Sequence, residues 1–495
     1  MRARGKKRGQ KAFRIKYMFN SGCLLLRNEG EKMERIRQRY FGDSAFYKKV
    51  LWIALPIMVQ NGFTNFVNLL DNLMVGRIGT DQMSGVAIVN QLLFVFNLSI
   101  FGALSGAGIF IAQYYGSNDR ESMKNVFRMK VLIAGMIMIL GVSILFFGKS
   151  FLISQFLHDG SVTGNLDATL QYGIDYIDIM VIGLIPYTIS QCYASTLRET
   201  GETLLPMKAG IASVVVNLCF NYMLIYGKFG MPVLGVKGAA IATVIARVTE
   251  CVIILAWVMA KRETYDYLHR IFYHFSIPGH IVKEVIAKGT PLLMNEFMWS
   301  AAMTVLTFCY STRGLAAVAG INICNTINNV FNIGLISLGN AVSIIVGQLL
   351  GAGKFDEAKD TARKLITFSV CFCAGIALVM AATAPLFPLL YNTTDEVRQL
   401  ATRFILIMAA LMPFCAFTNA SYFTLRSGGK TVITFLFDSC YAWAICVPIA
   451  VLLAFCTDVP VLPMYLICQS LEIIKCVVGF ILVKKGVWIH NLSVK

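Results

Sequence analysis

The sequence predicts an all-α integral membrane protein, with twelve transmembrane helices in two six-helix bundles related by a pseudo-twofold axis. Three observations support this fold class: the composition, the recurrence of long apolar segments, and an internal repeat. Hydrophobic residues make up 57% of the 495 residues, charged residues only 14%, and the mean hydropathy is +0.65. A soluble protein of this length could not cover its surface with so few charges.

Apolar segments of roughly 18 to 30 residues recur along the whole chain, and each is long enough to cross a ~30 Å hydrocarbon core. Twelve such segments begin near Val50, Ser84, Val126, Tyr172, Thr203, Gly238, Val285, Val318, Leu365, Leu400, Thr431 and Pro463. They predict, in chain order, a basic N-terminal segment, a first lobe (helices 1–6), a connection, a second lobe (helices 7–12) and a tail, at residues 1–45, 46–260, 261–282, 283–485 and 486–495.

The net charge of +17 reflects membrane orientation rather than nucleic-acid binding. Most Lys and Arg residues lie in the N-terminal segment, the even-numbered connections and the C-terminal tail, as the positive-inside rule requires when the N-terminus is cytoplasmic. We therefore expect both termini in the cytoplasm and the protein in the cell (inner) membrane. Residues 1–32 are either a basic tail or lie upstream of a start at Met33.

The fourteen cysteines are scattered mostly inside apolar segments, without a CxxC pair or a metal-ligand spacing. We interpret them as small packing residues. No segment carries a His/Asp or His/Glu cluster, so the sequence argues against a membrane-embedded enzyme and predicts no cofactor.

The two lobes share a sequence repeat at a shift of 235 residues. Without a gap, this shift places Pro56, Gly79, Gly85, Asn90, Gln113 and Gly116 on Pro291, Gly314, Gly320, Asn325, Gln348 and Gly351. Six helices per lobe make both lobes enter the membrane from the same side. A pseudo-twofold axis along the membrane normal then leaves a central cavity between them, which suits alternating access.

Polar stripes follow helical spacing inside three of the predicted helices. Lipid cannot satisfy these groups, so each stripe must face protein or water. One interpretation is a substrate cavity between the lobes, and the other is hydrogen bonding between helices. The candidate cavity residues are Gln60, Asn61, Thr64 and Asn68 on the first helix, Ser300 and Thr304 on the seventh, and Asn322, Asn325 and Asn329 on the eighth.

Two buried carboxyl groups are candidates for ion coupling. An ionised Asp near the bilayer centre costs about 2.5–3.5 kcal/mol on insertion scales, so Asp71 in the first helix is expected to be functional, by taking up a proton or binding a metal cation. Glu296 in the seventh helix follows the same logic.

The other charged or titratable groups are interpreted as structural. Arg247 with Glu250 and Glu472 with Lys475 are spaced three apart and can neutralise each other. A functional role for Asp438 is left open. His269, His274 and His280 are expected to be solvated in the connection.

Several motifs resemble those of the multidrug and toxic compound extrusion (MATE) family. They are the run from Leu69 to Gly79 that contains Asp71, Leu197-Arg198 before Gly201, the Gly238–Thr243 run, and Gly347-Gln348 with Gly351. The resemblance covers roughly residues 45–485. It implies a MATE-like fold that works by alternating access and exports organic cations such as drugs and toxic metabolites, driven by protons or sodium.

The same resemblance implies an ion site in the first lobe at Asp71, Asn217, Asn221 and Thr243, although the family pattern has Asp at the position of Asn221. Some members carry a glutamate about eight residues after the seventh-helix proline, whereas Glu296 is five after Pro291. A sodium ion, if used, would bind at Asp71 or Glu296. The expected partners are organic cations, the coupling ion and the bilayer, and the protein is expected to be a monomer. The alternative function is a flippase for lipid-linked saccharides.

Overall fold

The computed structural model describes residues 34, 37–157, 165–268, 276–391 and 393–493. Within these ranges all regular structure is helical, and twelve helices are long and apolar enough to cross a membrane. The predictions for residues 1–32, His269 and His274 fall outside the described residues. His280 is described and exposed, as expected of a solvated side chain.

The twelve helices are numbered α1–α12 in chain order. The first six are Ser44–Gly76, Thr80–Gly116, Arg120–Phe147, Leu166–Glu199, Leu204–Tyr226 and Val236–Ala260. The second six are Gly279–Ser311, Leu315–Gly351, Phe355–Thr383, Asp395–Ser427, Thr431–Cys456 and Val461–Lys484.

The two sets of six helices match in length. Helices α1 and α7 have 33 residues each, and α2 and α8 have 37 each. Both sets also break at the same place: the short helix Lys149–Ser154 follows α3, and the 3-10 turn Phe387–Leu390 follows α9. The predicted fold class, two related bundles of six helices, is confirmed.

Several helices begin earlier than the apolar segments that predict them. Helix α9 begins at Phe355, whereas its apolar segment begins near Leu365. Its first turns carry ion pairs at helical spacing, including Lys364 with Asp360 at 2.6 Å. Charged turns of this kind extend the helix beyond the hydrocarbon core, where water solvates them.

Helix α11 is the least regular of the twelve. It contains two stretches of π-helix, Leu436–Cys440 and Ala442–Cys446. Such wide turns change the direction of side chains and occur often at functional sites. Here they place Asp438 and Ser439 against α7 and α12.

Among the described residues, buried side chains form one large cluster within each lobe, a third that joins the lobes, and a small fourth cluster in the second lobe. The first-lobe cluster runs from Val75 to Val285, and the second-lobe cluster runs from Leu306 to Cys468. In the third, residues of α1 such as Ala54 pack with residues of α8 such as Ala341. At the equivalent contact of α7 with α2, the backbones of Gly289 and Gly106 nearly touch. The first helix of each lobe therefore packs against the second helix of the other lobe.

The last turns of α2 and α8 pack backbone to backbone, at a contact that we call the crossing (Gln113, Gly116, Gln348 and Gly351). A methyl group added to Gly116 would lie 1.9 Å from the Gln348 carbonyl oxygen, and one added to Gly351 would lie 1.9 Å from the Gln113 carbonyl oxygen. No side chain fits at that distance, so both positions require glycine.

The two glutamine side chains fix the crossing symmetrically. Gln113 donates from Nε2 to the Ser427 carbonyl at 2.8 Å, and Gln348 donates to the Glu199 carbonyl at 3.1 Å. Each glutamine thus reaches from its own lobe to the last turn of the fourth helix of the opposite lobe. Gln113 and Gln348 are repeat equivalents, so the two contacts follow the symmetry of the internal repeat.

Replacing Gly116 with Ala is expected to lower the thermal stability of the purified protein, because the added methyl group forces the crossing apart. Overpacking of this kind costs about 1–3 kcal/mol. Gly135→Ala on α3 is the matched control, since a methyl group there has nothing within 4 Å. Fluorescence-detected size-exclusion chromatography after heating measures both variants, and equal melting temperatures would contradict the tight crossing.

Candidate ion-coupling and substrate site

The half-buried carboxyl group of Asp71 lies on α1 and faces α5. Asn221 donates from Nδ2 to Asp71 Oδ1 at 2.6 Å. Asn217, one turn earlier on α5, is buried, and its side chain contacts Asn221 at 2.9 Å and Thr243 on α6 at 3.3 Å. The structure therefore brings the four residues of the expected first-lobe ion site together.

The amide of Asn217 satisfies more partners when it is rotated by 180°. In that orientation its nitrogen donates to Oδ1 and Oδ2 of Asp71 at 2.9 and 3.2 Å. Asp71 then accepts hydrogen bonds from the amides of Asn217 and Asn221. The oxygen of Asn217 no longer accepts a hydrogen bond from Asn221. The buried Oδ1 of Asn221 has no hydrogen-bond partner among the described residues.

The buried Oδ1 of Asn221 is costly to leave without a donor, and the carboxylate beside it has hydrogen bonds but no counter-ion among the described residues. Either a proton on Asp71 or a small metal cation would relieve this cost. The oxygens of Asp71, Asn217, Asn221 and Thr243 are hard ligands of the type that sodium accepts. No Lys, Arg or His in the described part of the chain forms an ion pair with Asp71 within 4 Å.

Glu296 is placed differently, at the seam between the lobes. A methyl group on Gly102 of α2 would lie 3.2 Å from Cγ of Glu296. At the repeat-equivalent contact, Asn61 of α1 donates to Oγ of Ser337 on α8 at 3.4 Å. The two contacts define one level of the interface between the lobes, which we call the seam. Glu296 makes one contact with a carboxylic acid side chain, and Asn61 makes the other with an amide.

Beyond this level, toward the ends of α1 and α7, the polar stripes are accessible. The exposed stripe residues are Thr64, Asn68, Thr304, Asn322, Asn325 and Asn329. Lipid would leave their polar groups unsatisfied, so we infer that they face a water-filled cleft between the lobes. The crossing closes the opposite end of this cleft.

One stripe residue is not free to face a ligand. Gln60 is only 8% exposed, and its Oε1 accepts from Nη2 of Arg198 at 3.2 Å inside the first lobe. Helical spacing alone could not show this, because the partner is 138 residues away. The hydroxyls of Thr64 and Thr304 donate to backbone carbonyls one turn earlier, at 2.9 and 3.0 Å, but both residues stay exposed.

A second polar cluster lies inside the second lobe. Lys475 on α12 forms an ion pair with Asp438 Oδ1 at 2.6 Å and lies 3.8 Å from Glu472. Asn295 on α7 donates to Asp438 Oδ2 at 3.0 Å. The spacing in the sequence predicts neutralisation between Glu472 and Lys475, but the closer partner of Lys475 is the carboxylate on another helix.

Asn295 is not among the predicted site residues, although it connects this cluster to the seam. It is 2% exposed and accepts from the Ser439 hydroxyl at 2.7 Å, while the next residue, Glu296, contacts α2. The sequence feature that could have identified Asn295 is an amide directly before an acid within one predicted membrane helix. The guanidinium of Arg247 also lies over the ring of Tyr187 at 4.9 Å.

Comparisons with known proteins identify one family. The family model described as MatE matches residues 56–223 and 291–456. The two matches begin at the repeat-equivalent residues Pro56 and Pro291, so each lobe matches once. A probable multidrug resistance protein of Bacillus subtilis, YoeA, is 24% identical over 84% of this chain and 89% of its own. One of Thermotoga maritima, NorM, is 22% identical over 81% and 84%.

Solved structures show the same fold at lower identity. A crystal structure of MATE in the bent conformation superposes with a TM-score of 0.80 at 17% identity, over 90% of this chain and 96% of that one. A point mutant of the Vibrio cholerae MATE transporter VcmN gives a TM-score of 0.81 at 17% identity, over 91% and 99%.

Replacing Lys475 with Met is expected to destabilise the protein more than the double substitution Asp438→Asn with Lys475→Met. Removing one partner of a buried pair strands the other charge and costs about 3–5 kcal/mol, whereas removing both charges costs less. Lys149→Met is the matched control, because its ion pair with Asp178 is more exposed and is worth about 0–1 kcal/mol. Thermal unfolding in detergent measures the order, and a double variant less stable than either single one would contradict it.

Proposed function

The chain belongs to the MatE family, and on that premise we propose that it is a secondary active antiporter. It exports small organic cations in exchange for protons or sodium by alternating access. The observation that carries this proposal is the Asp71 site: a carboxyl group without a counter-ion beside a buried, unpartnered amide oxygen, among the residues that the structure describes. Such a site gains most from binding a cation that can also leave.

We propose that the crossing is at the cytoplasmic side. The basic first turns of α3 and α9, with Arg120, Lys124, Lys354 and Lys359, lie at the same end of the bundle as the crossing. By the positive-inside rule this end is cytoplasmic, together with both termini. The cleft then opens outward, and the structure corresponds to an outward-facing state.

In this state Asp71 lies within two turns of the outer end of α1, where an external proton or sodium ion reaches it. The incoming cation neutralises the carboxylate and satisfies the free amide oxygen. It thereby alters the hydrogen bond between Asp71 on α1 and Asn221 on α5, and with it the bond between Asn217 on α5 and Thr243 on α6. Because α1 also packs on α8 of the other lobe, a change in α1 reaches the seam. Opening the crossing then releases the ion to the cytoplasm and admits the substrate.

The cleft chemistry supports an organic cation as cargo. Its wall combines amide and hydroxyl groups with the acid Glu296 at its base, and no basic residue is among the predicted cavity residues. A pyrophosphate head group would require the opposite charge, so these residues favour a cation over a lipid-linked saccharide. Two relatives carry the name of probable multidrug resistance proteins, which agrees with such a cargo. Each chain has its own cleft, so we propose that a monomer suffices.

Asp71→Asn is expected to abolish ion-driven export of ethidium while leaving membrane insertion and thermal stability close to those of the wild type. The amide keeps the shape of the side chain but can neither release a proton nor offer a charged ligand. Asp81→Asn, in the first turn of α2, is the matched control and should export normally. Export at the wild-type rate by Asp71→Asn would overturn the proposed site.

The coupling ion is identified in proteoliposomes by imposing a sodium gradient at equal pH and, separately, a pH gradient without sodium. The first-lobe site has a single carboxyl group without a counter-ion among the described residues. We therefore expect the pH gradient to drive ethidium transport and sodium to have little effect. Stimulation by sodium at fixed pH would instead identify the oxygens around Asp71 as a sodium site. Transport under neither gradient would contradict antiport itself.

A further inference from the structure

The segment after α12 does not leave the protein but runs along the crossing. The backbone N–H of Leu492 donates to Oε1 of Gln113 at 2.6 Å, and Nε2 of Gln113 lies 3.3 Å from the His490 carbonyl that accepts from it. On the other helix of the crossing, the Gly351 carbonyl accepts from Asn491 Nδ2 at 3.4 Å and from Ser493 Oγ at 3.3 Å. Residues 490–493 therefore hydrogen-bond to both lobes at once.

The start of this segment is buried in the cluster that joins the lobes, next to Gly428 of the second lobe. Trp488 is 1% exposed, belongs to the cluster that joins α1, α8 and α10, and packs its carbonyl against Gly428. Four residues later, the side chain of Leu492 packs between Gly429 and the buried cluster of the first lobe. The chain thus passes from one lobe to the other within four residues.

The repeat-equivalent segment after α6 behaves differently. Tyr267 is buried and donates from its hydroxyl to Thr200 Oγ1 at 3.1 Å, and the guanidinium of Arg120 lies 5.3 Å from its ring centre. Thr200 and Arg120 both belong to the first lobe, the lobe that α6 itself completes. The described part of the segment after α6, residues 261–268, therefore packs within its own lobe, whereas the C-terminal segment hydrogen-bonds across the crossing.

We propose that residues 490–493 are a latch that holds the cytoplasmic crossing closed and thereby stabilises the outward-facing state. The proposal rests on the alternating-access function above, since a latch has a role only if the crossing opens. Opening separates α2 from α8, so the segment cannot keep its bonds to Gln113 and to Gly351 together. Release of the segment accompanies each opening, and the strength of its docking sets how often the crossing opens.

The side chain of Gln113 makes the latch specific to the closed crossing. Its amide donates to Ser427 across the crossing and to His490 in the segment, and it accepts from Leu492. Docking therefore completes the hydrogen bonds of a side chain that is 0% exposed. Its equivalent Gln348 bonds to the Glu199 carbonyl and, within the described residues, makes no hydrogen bond to the segment, so it offers an internal control.

The charge around the segment is compatible with docking near neutral pH. Partial burial, together with Lys430 and Lys288, lowers the pKa of His490 from 6.5, while Glu284 opposes this shift. The imidazole is therefore largely neutral where the segment is docked, and it adds no positive charge beside the two lysines.

The first test measures docking directly, by hydrogen–deuterium exchange of the full-length protein in nanodiscs. Leu492→Pro removes the N–H that donates to Gln113, whereas Leu492→Ala keeps it and serves as the control. A single hydrogen bond contributes about 0.5–1.5 kcal/mol, so exchange in the last turns of α2 and α8 should rise about three- to tenfold in Leu492→Pro and clearly less in Leu492→Ala. Equal exchange in Leu492→Pro and the wild type would overturn the latch.

The second test is a double-mutant cycle on the same exchange signal. If Leu492 acts through Gln113, adding Leu492→Pro to Gln113→Ala changes the exchange no further. Added to Gln348→Ala, it should still give its full effect of about three- to tenfold. Equal effects in both backgrounds would show that the segment acts elsewhere and would overturn the proposal.

Ethidium export separates the latch from the function on which it rests. Where the wild type exports ethidium, Leu492→Pro should change the initial rate by about threefold or more, and Leu492→Ala should change it less. An unchanged export rate together with faster hydrogen–deuterium exchange would show that docking does not control opening. That result would overturn the latch but not the proposed antiport function. Failure of the wild type to export under any ion gradient would instead remove the proposed function.

Discussion

Two helices can pack backbone against backbone only where no side chain intervenes, and α2 and α8 meet in this way at Gly116 and Gly351. This contact closes one end of the molecule, and the rest of the architecture depends on it. Because the lobes touch there, the exposed polar stripes beyond the Asn61–Ser337 level line a cleft that opens to the other end. The crossing itself is held by a few hydrogen bonds and two glycines, but opening it must also part the buried cluster that joins α1 to α8.

The backbone symmetry of the lobes does not extend to their chemistry. In the first lobe, Asp71 is surrounded by amides and a hydroxyl and has no ion pair among the described residues. In the second lobe, Asp438 is held by Lys475, which acts as a permanent counter-ion, and Glu296 lies at the seam. An acid whose charge is already balanced gains less from a mobile cation. This difference favours the first lobe as the place where the ion gradient is used.

Much of the fold was predictable, because lipid imposes long apolar segments and the repeat is visible without gaps. Grouping Asp71 with Asn217, Asn221 and Thr243 follows from the family resemblance, and the structure places them in contact. Their roles in transport remain proposals. The interactions that were missed join residues far apart in sequence: Asp438 with Lys475, Gln60 with Arg198, and Gln113 with Leu492. Helical spacing reports only neighbours along one helix, so it favours the pair Glu472–Lys475 instead.

The central claim is that cargo and ion move in opposite directions through one site that is open to one side at a time. The most direct measurement imposes only a cargo gradient. Proteoliposomes loaded with ethidium and free of any initial ion gradient are diluted into dye-free buffer, while an internal pH indicator or radioactive sodium reports ion movement. Under obligatory exchange, outward dye flux drives proton or sodium entry, and Asp71→Asn eliminates this entry. Dye efflux without any opposing ion movement would contradict exchange and would indicate a channel or a uniporter.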